Sequence, residues 1–216
     1  MTPENAILAL RRPDTEPPTE PLDAPDPRLR RVAAAAQGLL DALDLPRHDP
    51  HLTGTARRMA HAFAELFAGL TQEPPELRTF PNPDGYADPV SVTGVPFYSV
   101  CAHHFLPFFG RAHVAYLPGD RLVGLSKLAR AVEFYARRPQ VQERLTEQVA
   151  ALLDARLAPR GVMVVLEARH LCMEMRGVRR PRVVTTTTAV RGAFGEPQLR
   201  REFLARIAST RQEGDA

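Results

Sequence analysis

The chain has 216 residues, 44% hydrophobic and 25% charged, with a net charge of +3. That is enough for one substantial core, and the small charge without a polybasic tail argues against a nucleic-acid partner. No apolar run approaches the ~18 residues of a membrane span, and the N-terminus lacks a charged-then-apolar leader pattern, so no membrane partner is expected and the chain reads as cytoplasmic.

Residues 1–27 hold seven prolines and little apolar periodicity, the composition of a disordered tail. A helix is predicted over about 28–43, rich in Ala and Leu, and the stretch from Leu45 to Pro50 breaks it. A second helix is predicted from Thr53 to Gly69, with Met59, Phe63, Leu66 and Phe67 on its apolar face. A Pro-rich connection over 71–88 follows. The period then changes: 90–100 and 111–117 read as strands, with 101–110 between them. Ser126 reads as the N-cap of a helix to about Arg137. Pro139 suits the first turn of another helix, ending near Leu157. Two more strands are predicted at 162–175 and 183–190, and a last helix at 197–207. The pattern is α+β: an antiparallel four-stranded sheet with a helix pair, preceded by N-terminal helices. Such a sheet has two edges to cover or pair, which points to oligomerisation by sheet extension.

The two cysteines, Cys101 and Cys172, each lie within three residues of a histidine. Few cysteines beside histidines suggest a metal or catalysis rather than a disulfide. In a strand, His170 and Cys172 would share a face, continuing the apolar row Val162, Val164, Leu166 and Ala168. Cys101 and His104 are three apart and can chelate one ion from a turn. Thiolate and imidazole together suit zinc. Cys101, His103, His104, His170 and Cys172 are all possible donors. A site using four of them is closed and structural; one using three leaves a position for water.

A second constellation lies on the helices. Ser126, Lys127 and Arg130 stand at a helix start, where exposed amides and cations favour phosphate. Lys127 is the one lysine among 28 basic residues, which suggests a site for a compact ammonium charge. Gln142 and Glu143 open the next helix, and Glu143 lies off its apolar stripe. Arg176, Arg179, Arg180 and Arg182 follow Cys172 and either bind phosphate or keep a loop solvated.

In combination, Cys101-Ala102-His103-His104, Gly124-Leu125-Ser126-Lys127, the run from Gln140 to Thr146, His170-Leu171-Cys172-Met173 and Arg176-Gly177-Val178 resemble GTP cyclohydrolase I, over about residues 30–208. The resemblance implies the tunnelling fold, with strand pairs from several subunits closing a β-barrel in a homodecamer and active sites between subunits. It divides the chain into a tail (1–27), a helical region (28–72) and a catalytic domain (73–209). It implies Zn2+ on Cys101, His104 and Cys172, and His103 and His170 as proton-transfer groups. It places Glu143 and Gln142 at the guanine, and Ser126, Lys127, Arg130 and Arg176 at the ribose and triphosphate. By the same resemblance, Arg58 matches a phosphate-binding arginine supplied from another subunit. The implied reaction takes GTP and water to formate and 7,8-dihydroneopterin triphosphate. The family's usual Glu is replaced by Ala102, and Thr55 lacks the Pro that commonly follows it. The first departure opens an alternative reading as a non-catalytic or altered-specificity paralogue.

Overall fold

The computed structural model of the protein describes residues 26–46 and 49–214. The tail expected over 1–27 lies outside the described residues as far as residue 25. Pro27 already belongs to a helix, α1 (Pro27–Ala42), capped by the Asp26 carboxylate, which accepts the Arg28 N–H. The helix α2 runs Thr55–Leu66 and passes into a 3-10 turn, Ala68–Leu70, so the second predicted helix is shorter than its periodicity suggests. The chain forms two compact units, one through His61 and one from Ala62.

The second unit is built on a sheet of order β5-β2-β3-β6-β7. Its long strands are β2 (Val90–Cys101), β3 (Pro107–Leu117), β6 (Gly161–His170) and β7 (Thr185–Gly192). These four pair antiparallel with one another in that order, as expected. Two small additions were hidden in the sequence. One is a separate two-stranded ribbon of β1 (Thr79–Pro81) with β4 (Arg121–Val123), which places a strand inside the Pro-rich connection. The other is β5 (Pro139–Gln140), a two-residue strand parallel to the end of β2. Pro139 is therefore not in a helix's first turn. The Ala102 N–H donates to Gln140 O at 2.8 Å, which holds this segment extended, and α4 (Gln142–Leu157) starts after it.

One sheet face packs on α3 (Leu125–Ala136) and α4. Leu128, Ala131, Val132, Leu145, Val149 and Leu153 meet Ala112, Val114, Val162, Val164 and Leu166 in one buried cluster. This matches the expected helix pair and the even-numbered row on β6. The odd-numbered row is buried too: Met163 and Val165 pack with Ala115, Phe194, Phe203 and Ile207, the last two from α6 (Pro197–Gly214). With both faces covered, β6 reads as a continuous apolar run rather than an alternation. Gly110 on β3 lies so close to β6 that a Cβ there would sit 1.8 Å from Glu167 O. Among the described residues, no helix is long and apolar enough to cross a membrane.

Candidate metal centre and active site

Strand register brings Cys101 and His170 to one end of the sheet. β2 ends at Cys101, and a tight turn leads into β3. Cys101 N–H donates to Leu106 O at 2.9 Å, and Phe105 N–H to Cys101 O at 2.9 Å. Phe105 takes a positive φ of 53°, and its ring packs edge-on against Phe67 at 5.6 Å and Phe63 at 6.5 Å. This turn presents His103 and His104. On β3, Phe108 pairs in register with His170 at the end of β6. There the strand stops: Leu171–Glu174 forms a helical turn, α5. The alternation argument that put His170 and Cys172 on one strand face is therefore overturned. Cys172 reaches the site because the chain turns, closed by Met175 N–H to Leu171 O.

The ligand atoms of Cys101, His104 and Cys172 lie within 4.8 Å of one another. Cys101 Sγ is 3.9 Å from His104 Nδ1 and 4.0 Å from His103 Nδ1. Tetrahedral zinc with S and N ligands holds its donors roughly 3.5–3.8 Å apart, so the set needs little closure to accept such an ion. The chemistry fits as well. Burial, and then the adjoining Cys101 thiol, push the Cys172 thiol up, while the Arg176 guanidinium pulls it down. A divalent cation between the two sulfurs removes that mutual penalty on ionisation. Three protein donors leave a fourth position open.

His170 lies beside this trio. Its ring stacks flat on Phe108, with centroids 4.6 Å apart and planes 1° from parallel. Burial holds its imidazole below the ordinary histidine range, and the Glu143 carboxylate pulls the other way. Glu143 is thus close enough to be felt, exposed in the first turn of α4. Gln142, by contrast, is 1% exposed, and its amide is committed to protein partners. The cations follow a similar division. Gly124, not Ser126, is the N-cap of α3: it has extended backbone angles and accepts Lys127 N–H at 2.8 Å. Ser126, Lys127 and Arg130 occupy the first turns, and among the described residues no side chain of these three makes a hydrogen bond or ion pair. Arg176 is exposed just after α5. Arg58 lies in the N-terminal unit, where its guanidinium donates to Thr53 O at 2.8 Å and Thr55 Oγ1 at 2.7 Å. Three supporting residues escaped sequence reasoning: Phe108, Thr146 and Thr187. The Thr run 185–188 was visible, but its pairing with β6 was not.

Residues 32–208 match the family model for GTP cyclohydrolase I. A GTP cyclohydrolase 1 of Thermobifida fusca is 51% identical over 85% of this chain and 88% of its own length. Those of Streptococcus thermophilus and Mycolicibacterium gilvum are 48% and 49% identical, covering 81% and 80% of this chain and 95% and 87% of their own. The antiparallel strands β2, β3, β6 and β7 backed by α3 and α4 match the expected α+β architecture. With the matched span enclosing β2 to β7 and relatives about half identical over most of their length, the chain belongs to the GTP cyclohydrolase I family.

Proposed function

We propose that this chain hydrolyses the purine ring of GTP, releasing formate and giving 7,8-dihydroneopterin triphosphate, the first step of folate and pterin (or related deazapurine) biosynthesis. The observation that carries this reading is the convergence of Cys101, His104 and Cys172 beside a half-buried, stacked His170. Cys101, His104 and Cys172 hold zinc, which when bound supplies Lewis acidity and acidifies water. His103 and His170 move protons to and from the ring nitrogens, the general acid–base work that imidazole most often performs. Burial lowers the basicity of His170, against the opposing pull of the Glu143 carboxylate. Glu143 accepts hydrogen bonds from the guanine N–H groups. The start of α3, with Ser126, Lys127 and Arg130, and Arg176 beyond α5 hold the ribose and triphosphate. Arg58 completes the phosphate site from another subunit of a cytoplasmic homo-oligomer, a decamer with active sites between subunits.

The test is direct. Zinc-loaded protein incubated with GTP should release formate and yield a pterin that fluoresces after oxidation. Absence of both refutes the proposal. Tight GTP binding without turnover supports instead a nucleotide-binding paralogue, the reading that Ala102 favours. Ala102 still anchors the turn through its backbone N–H, a role that does not depend on its side chain.

A further inference from the structure

We infer that Gln142 is not a ligand of the substrate but the residue that fixes the orientation and tautomer of His170, leaving Nδ1 as the nitrogen that exchanges protons with the substrate. The inference deepens the function proposed above and rests on it.

The argument is one of donors and acceptors. Gln142 Nε2 lies 3.1 Å from Leu166 O, 3.0 Å from Thr185 O and 3.1 Å from Thr187 Oγ1. Two of these are carbonyls, which only accept, so the amide nitrogen must face them and the amide cannot be reversed. Gln142 Oε1 then faces His170 Nε2 at 2.8 Å. An amide oxygen only accepts, so Nε2 carries the proton. In the neutral imidazole, Nδ1 is left bare. The hydroxyls close the arrangement. Thr146 Oγ1 donates to Gln142 O at 2.8 Å, so across the 2.7 Å contact Thr187 Oγ1 is the donor to Thr146 Oγ1. Thr187 Oγ1 therefore receives from Gln142. Gln142, at 1% exposure, has no amide hydrogen free and no open surface for a substrate. The flat contact with Phe108 holds the ring in the plane that this bond requires. Burial makes the set costly to disturb, because every group lost leaves another unsatisfied.

Solid-state 15N spectra of histidine-labelled protein, recorded above the histidine titration range, test this. The His170 signal is assigned by its loss in His170→Asn. The expected result is an Nε2-protonated, Nδ1-bare ring; an Nδ1-protonated ring overturns the inference. Gln142→Leu keeps the bulk and removes the hydrogen bonds. It should lower kcat about 10- to 100-fold, as loss of an orienting partner does, with KM for GTP unchanged. A raised KM with kcat unchanged restores Gln142 to the substrate's ligands and overturns the inference. The wild-type spectrum decides even if Gln142→Leu does not fold. An inactive wild type refutes the proposed reaction and leaves the tautomer assignment standing; an active wild type with Nδ1–H refutes the assignment alone.

Discussion

Phe108→Leu separates the two duties of the stacked pair. Phe108 is fully buried and touches two aromatic rings: Phe97 edge-on at 6.1 Å and His170 face-on at 4.6 Å. Aromatic pairs contribute about 0.5–1.5 kcal/mol each beyond burial, so their loss costs about 1–3 kcal/mol. The smaller leucine leaves a partial void worth roughly 1 kcal/mol more. The total, about 2–4 kcal/mol, overlaps only the lower part of the range of about 3–5 kcal/mol for truncation to alanine, and the variant should still fold. Urea titration at fixed protomer concentration should show a lower midpoint with an unchanged slope. In the folded variant, His170 keeps its bond to Gln142 and loses one wall, so kcat should fall while KM for GTP changes little. Unchanged kcat in a destabilised protein refutes a positioning role for the stack. An unchanged midpoint refutes the packing estimate itself.

Three other perturbations address separate parts of the account. Cys101→Ala and Cys172→Ala should each lose bound zinc by elemental analysis, whereas His103→Ala should keep zinc and lose turnover; full activity in that variant removes His103 from the chemistry. Gly110→Ala forces a methyl group against the Glu167 carbonyl and should cost about 1–3 kcal/mol as overpacking between β3 and β6, read as a lower melting temperature. The Glu174 carboxyl is held below the usual range, first by its hydrogen bonds from Arg169 at 2.7 and 2.6 Å. A depressed carboxyl stabilises the fold above its unfolded pKa, and that contribution is lost as pH falls through the folded value. Glu174→Gln should therefore lower stability at neutral pH and flatten the acid side of the stability profile. An unchanged acid limb refutes the linkage.

How far the residues could be read in advance depended on the range of the forces that place them. The row Val162, Val164, Leu166 and Ala168 and the stripe Leu145, Val149 and Leu152 are statements about burial, and the observed core reproduces them. The errors fall where a few hydrogen bonds override a local rule. His170 and Cys172 fit strand spacing, yet the chain turns at Leu171, and the thiol arrives from a helical turn. Pro139 fits a helix start, but pairing with the end of β2 holds it extended. Ser126 is a strong capping residue in the wrong place, because Gly124 already has the cap conformation. The ribbon of β1 and β4 has three residues a side, too few to show a period. The cluster Cys101, His104 and Cys172 was legible because ligand chemistry restricts residue type. Their supports, Phe108, Thr146 and Thr187, were not, since each is ordinary until register sets it beside His170 or Gln142.

The most direct measurement pairs zinc content with formate release from GTP in the wild type, Cys101→Ala and Cys172→Ala. The account predicts that formate and the fluorescent pterin appear in the wild type in proportion to bound zinc, and that both vanish with the metal in the two variants. Formate release that persists in zinc-free Cys172→Ala, or a zinc-loaded wild type that binds GTP and releases none, contradicts it.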